Sequence, residues 1–134
     1  MADAEMQKEL NKLYQKATIA YWDWSGAVQK LLLYQSSYDL AQEQLQNTKQ
    51  LYEQGSKSAF DTLKTYTQMQ KRLSLVMEYQ QKEFEKRAKA ANYLWTSEQK
   101  PVLIPDGIIP ESIVGFNYSS NALDSVATLS LIHI

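Results

Sequence analysis

Cysteine is absent from the 134 residues, histidine occurs once, as His133, and from Met1 to Lys100 there is no proline and only two glycines, Gly26 and Gly55. Without cysteine there are no disulfides and no thiolate chemistry, and the redox compartment stays open. A single histidine next to the C-terminal residue leaves no His/Cys cluster for a metal and no base for a serine nucleophile. Scarce glycine excludes a phosphate-cradling loop; "GSKS" at Gly55–Ser58 resembles the end of a P-loop but lacks its spacing and a preceding strand. No stretch approaches the roughly 18 apolar residues of a membrane helix, and "MADAEMQKEL" has neither the basic start nor the apolar run of a signal peptide. With 14 basic and 15 acidic residues the net charge is −1, and no basic face of the kind a nucleic-acid binder needs is required. Carboxylates are plentiful but have no pocket to tune them. These absences read as a non-enzyme with no cofactor, no metal and no nucleic-acid partner.

What is present is helix. Glutamine occurs 14 times, which suits long solvated helices. Apolar residues recur at alternating steps of four and three: Met6, Leu10, Leu13, Ala17, Ala20, Trp24, Ala27, Leu31, Tyr34, Tyr38, Ala41, Leu45, Thr48, Tyr52. Thr48 alone breaks this seam, the signature of a helix packed along its length on another helix. At about 1.5 Å per residue it spans roughly 70 Å. A second series follows: Ala59, Leu63, Tyr66, Gln70, Leu73, Met77, Gln80, Phe84, Arg87, Ala91, Leu94.

The two series mirror each other, opposed positions summing to 111, so the chain folds back between Gly55 and Ser56. The expected pairs include Ala27 with Phe84, Tyr34 with Met77, Tyr38 with Leu73, and Trp24 with Arg87, whose guanidinium can stack on the indole. Glu78–Lys82, Glu83–Arg87 and Glu85–Lys89 are expected as solvated i, i+4 pairs. Trp24 is explained by packing. Trp22, with Val28, Leu32, Leu33 and Leu40, forms an outer apolar stripe that needs a second neighbour. The fold class is therefore all-α: a long antiparallel two-helix coiled-coil hairpin, about 5–54 and 58–96, within a hairpin domain of 1–99.

At the break, Gly55 can take the left-handed conformation that ends a helix, while Ser58 and Asp61 form a capping box for the next one. A cap is sufficient reason for both residues, and a working surface is the alternative reading. Beyond the hairpin, "KPVLIPDGIIPES" places Pro101, Pro105 and Pro110 within ten residues. This predicts an extended segment, 100–118, lying on something else. The tail 119–134 is expected to be disordered or artefactual, because Leu129–Ile134, "LSLIHI", reads as the in-frame translation of a sequencing-library adapter.

The stretch "AYWDWSGAVQKLLLYQSSYDLAQEQLQNTKQLYEQGSKSAFDTLKTYTQMQKRL" resembles the long periplasmic hairpin of the TolC-type outer-membrane efflux channels of Gram-negative bacteria. "ANYLWTSEQKPVLIPDGIIPE" is similar to the close of that hairpin in Bacteroidetes members. The resemblance covers about Glu5 to Glu111, and its most specific element is the spacing of Tyr52, Gly55, Ser58 and Asp61. It implies a homotrimeric channel of the cell outer membrane with this segment in the periplasm. The turn Gln54, Gly55, Ser56, Lys57, Ser58 would dock a periplasmic adaptor (membrane fusion) protein, and through it an inner-membrane transporter. Asp61 would lie near the channel constriction, where threefold repetition makes an acidic ring that favours cations. The Pro-rich segment would belong to the equatorial belt, and Met6–Leu13 would run past the second helix toward the membrane barrel. One departure is Ser56 followed by Lys57, where many relatives carry an apolar residue. The other reading of the same features is a free-standing cytoplasmic coiled-coil interaction protein.

Overall fold

The computed structural model describes residues 2–96 and 98–111. Two helices account for most of them: α1 (Ala2–Glu53) and α2 (Ala59–Ala91), antiparallel and packed against each other. At 52 residues α1 is about 80 Å long and outruns α2, which has 33. Every residue from Ala2 to Lys16 is exposed, so the first four turns of α1 project past the root of the hairpin. The expected helix bounds hold within a few residues, except that α2 stops at Ala91 rather than 96. The expected end of the Pro-rich segment at 118 and the whole tail, including His133, lie outside the described residues.

The seam anticipated for α1 is the one observed. Each of its members from Ala17 to Thr48 is buried or half-buried, with Trp24, Ala27, Ala41 and Leu45 deepest. On α2 the face is different. Met69, Val76 and Ala90 are buried and Thr62, Thr65, Tyr79 and Glu83 half-buried, whereas the anticipated Leu63, Met77 and Phe84 remain 60 to 63% exposed. Of the anticipated row Leu73 is half-buried and Arg87 and Ala91 are buried, so the packed face is the anticipated one turned by up to one residue, about 100°, at Thr62–Met69 and Val76–Glu83.

Three expected pairings change with it. Tyr34 stacks on Tyr79 at 4.3 Å rather than meeting Met77, and Tyr38 packs against the Ala41–Leu45–Met69 cluster. Ala27 is buried without Phe84, which stays exposed. Trp24 does not stack on Arg87; its indole donates to Glu83, and the Arg87 guanidinium lies 5.7 Å from the Phe84 ring instead.

The cause lies in what α1 presents. A seam of Trp24, Tyr34 and Tyr38 is bulky and carries polar atoms that need partners when covered. Glu83 accepts from the Trp24 indole and Tyr79 stacks on Tyr34, which a row of Leu, Met and Phe cannot match.

No described side chain is less than 2% exposed, as expected where a core is only two helices thick. Two clusters hold it: Trp24, Val28 and Ala90 at the root, and Ala41, Leu45 and Met69 nearer the tip. Of the lateral ion pairs, Glu78–Lys82 at 2.6 Å is solvated as expected, whereas Glu83–Arg87 at 3.5 Å forms but is largely buried between the helices. Glu85 instead accepts from Gln81 at 3.2 Å, and Lys89 makes no ion pair among the described residues.

After α2 the chain turns sharply. Asn92 caps the helix, Trp95 and Pro101 form an antiparallel bridge, and the Val102 amide donates to the Leu94 carbonyl at 3.0 Å. This reversal lays residues 101–111 back along the hairpin root, with Ile104 against the Trp24 cluster and Pro110 buried. The segment expected from its three prolines to lie on something else lies, as far as Glu111, on the hairpin itself through Ile104, while Leu103, Ile108 and Ile109 stay exposed. Val28, expected on the outer stripe, is covered at this place.

Candidate functional site

The turn between α1 and α2 is built by its own hydrogen bonds. Gly55 has φ of 75°, and its amide donates to the Tyr52 carbonyl at 2.9 Å while the Ser56 amide donates to Leu51 at 2.8 Å. This pair of bonds is a Schellman ending, which satisfies two of the carbonyls a helix leaves open. The left-handed φ is where a Cβ is strained, so glycine is required for conformation and not for space; nothing lies within 4 Å of the added Cβ.

Ser58 then starts α2. Its hydroxyl accepts from the Asp61 amide at 3.2 Å, and Asp61 Oδ2 accepts from the Ser58 amide at 2.9 Å and from the Ser58 hydroxyl at 2.8 Å. The capping box is complete. Donation from the Ser58 backbone, then from its hydroxyl, holds the Asp61 carboxyl below its ordinary value, aided by the fields of Lys57 and Lys64.

All five residues of the anticipated docking turn, Gln54, Gly55, Ser56, Lys57 and Ser58, are exposed and adjacent at one end of the molecule. Apolar side chains flank them: Leu51, Tyr52, Phe60 and Leu63 are exposed as well. Chemically this tip is a hydrogen-bonded protrusion with one lysine, Lys57, in the turn and apolar shoulders. Asp61 lies one turn behind it, half-buried, with one carboxylate oxygen engaged by the cap and Oδ1 without a partner among the described residues.

Two outward stripes run along the shaft. On α1, Trp22, Leu33, Leu40 and Leu51 are exposed and, at about 100° per residue, fall within about 20° of one another. On α2 the bare stripe is Leu63, Tyr66, Met77 and Phe84. Asp23 pairs with Lys86 at 3.3 Å and Tyr34 stacks on Tyr79, which sets the heights of the two helices. Leu33 then stands about level with Met77, whereas Trp22 borders a groove with Lys30 and Lys82 and Phe84 borders another with Leu31 and Ile108.

At the root, Glu83 and Asp106 join Trp24 and Arg87, the pair that the heptad series set opposite each other. Trp24 Nε1 donates to Glu83 Oε1 at 3.0 Å, Arg87 Nε lies 3.5 Å from the same carboxylate oxygen, and Arg87 Nη2 pairs with Asp106 of the returning segment. Arg87 is 8% exposed. The four-residue spacing of Glu83 and Arg87 is legible in the sequence, where it predicts a solvated pair; its burial is not, because the heptad series places Arg87 opposite the indole and Glu83 outside the seam.

Among the described residues no group of His, Asp and Glu side chains is placed to hold a metal, and no helix is long and apolar enough to cross a membrane. No protein-family model, no curated protein and no solved structure matches this chain.

Proposed function

We propose that this chain supplies a periplasmic helical hairpin of a TolC-type outer-membrane efflux channel, non-catalytic, assembled laterally in a homotrimer. Its tip, Gln54–Ser58, docks a periplasmic adaptor protein that links it to an inner-membrane transporter. The observation that carries this reading is the pair of outward apolar stripes. A free-standing two-helix rod needs one apolar face per helix, and here each helix has two. A hairpin that stands between neighbours needs both faces. The bare face of α2 is the more apolar of its two, which fits permanent contact with another helix better than exposure to water.

The tip supports the docking half of the reading. It is held rigid by the Schellman ending and the capping box, so a partner meets a preformed shape and little ordering entropy is lost on contact. Apolar Leu51, Tyr52 and Phe60 around Lys57 offer an anchor and a charge. The carboxylate of Asp61 is engaged by the cap, so its contribution to an acidic ring would come from the remaining oxygen.

The experiment is fractionation followed by cross-linking in cells producing the full-length protein. The chain is expected in the outer-membrane fraction, with a photoreactive residue at Lys57 capturing an adaptor protein and Leu33→Cys cross-linking to Met77→Cys of a neighbouring hairpin. Recovery in the cytoplasm without either cross-link would establish the coiled-coil interaction protein in its place, a reading that the long heptad seam of α1 also supports.

A further inference from the structure

We infer that residues 101–111 are a clasp that sets the spacing of α1 and α2 at the root of the hairpin, with Arg87 as the anchor shared between helix and strap. The inference does not depend on the channel reading.

The strap touches both helices. Its Ile104 packs against the Trp24–Val28–Ala90 cluster, which both helices supply. The Tyr21 hydroxyl of α1 reaches the Glu111 carbonyl at 3.5 Å, and Asp106 pairs with Arg87 of α2. Arg87 in turn holds Glu83, which accepts from the Trp24 indole. A continuous path of contacts thus runs from α1 through α2 to the strap and back to α1. Parting the helices at this level breaks it in more than one place.

The direction of the strap is fixed locally. The Trp95–Pro101 bridge, the Val102–Leu94 hydrogen bond and the positive φ of Gln99, 58°, make a tight reversal that aims the segment back at the root. Gly107, at φ of 82°, turns the chain again after Asp106. Two anchors share the task unequally. Asp106 is largely solvated, and an ion pair with one partner in water contributes little by itself. Ile104 enters the apolar cluster and supplies most of the hold, so Asp106 fixes which part of the strap meets Arg87.

The strap does not seal the root. Between it and the helices lies an open groove of about 510 Å³, lined by Val28, Leu31, Leu32, Phe84, Ile108 and Ile109 among others. A segment that bridges two elements across such a gap works as a tie and not as core filling.

Amide hydrogen exchange on the full chain tests this, with Ile104→Ser and Asp106→Asn each compared with the parent at the strap (101–111), the root (20–28 and 84–91) and the tip half (40–50 and 62–70). The expected result is faster exchange in strap and root together, by about tenfold for Ile104→Ser and about two- to threefold for Asp106→Asn, with the tip half unchanged. Asp106→Glu, which keeps the charge, is expected to stay near the parent. Faster exchange in the strap alone means the root holds itself and overturns the clasp. No change in either overturns it too. A rise spread equally into the tip half means the hairpin opens as one unit, which leaves no separate clasp.

Discussion

Trp24 and Glu83 face each other across the hairpin, indole Nε1 to carboxylate Oε1 at 3.0 Å, and Arg87 neutralises that carboxylate from one turn further along α2. The indole is 4% exposed and the Glu83 side chain 14%. An arginine and a carboxylate this far from water are tolerated because each neutralises the other and the indole donates to the same oxygen, Glu83 Oε1. Glu83→Leu leaves the indole donor and the guanidinium short of a partner and is expected to lower stability by about 2–3 kcal/mol. Glu83→Gln keeps an acceptor and is expected to cost about 1 kcal/mol. Urea unfolding followed by circular dichroism reads both, and equal losses for the two variants would contradict the hydrogen-bond account.

The two glycines of the hairpin are expected to respond in opposite directions to alanine. Gly55 sits at a left-handed φ with open space around it, so Gly55→Ala costs about 1 kcal/mol of conformational strain and nothing in clashes. Gly26 is an exposed position within α1, also with nothing within 4 Å, and Gly26→Ala is expected to stabilise by about 0.5–1 kcal/mol. Midpoints of thermal unfolding should therefore move apart, down for Gly55→Ala and up for Gly26→Ala.

Neighbouring residues on α2 distinguish the packed face from the bare one. Val76 is buried and Met77 is exposed. Val76→Ala is expected to cost about 1–2 kcal/mol, and Met77→Ala no more than about 0.5 kcal/mol in the isolated chain. The reverse order would restore the seam expected from the heptad series. If hairpins do assemble laterally, Met77→Ser and Phe84→Ser are expected to weaken association while leaving the unfolding curve of the dissociated chain in place, as sedimentation will show.

Acid is expected to loosen the tip through Asp61. Its pKa in the folded chain lies below the ordinary 3.8 because the ionised carboxylate accepts from Ser58. A depressed folded pKa contributes stability that is fully present above the unfolded value and is lost as pH falls through the folded one. The cap should therefore be unaffected at neutral pH and weaken only below about pH 4. Amide exchange at Ser58 and Asp61 across pH 2.5–6, with Asp61→Asn as the flat reference, measures it; a transition near neutrality would point to some other group.

Much of this molecule could be read from local chemistry. The α1 seam from Ala17 to Thr48 follows from 3.6-residue periodicity, the fold-back at Gly55 from the one glycine placed between two heptad runs, and the capping box from the three-residue spacing of Ser58 and Asp61. The tip residues were identified with the same tools, because caps and turns are decided by atoms a few positions apart. Periodicity alone did not determine which face of α2 turns inward. Two apolar rows one residue apart both satisfy the heptad, and the more apolar one was the natural expectation. The choice belongs to α1, whose Trp24 brings a buried indole donor that Glu83 accepts and whose half-buried Tyr34 finds the ring of Tyr79, partners that Phe84 and Met77 do not replace. The return of the proline segment was equally hidden, since Ile104 and Asp106 find Trp24 and Arg87 only across long sequence separations. What the order of residues determined was each helix, its ends and the turn; what tertiary packing decided was the rotation of α2 and the seat of the strap, because those depend on satisfying groups that only folding brings into contact.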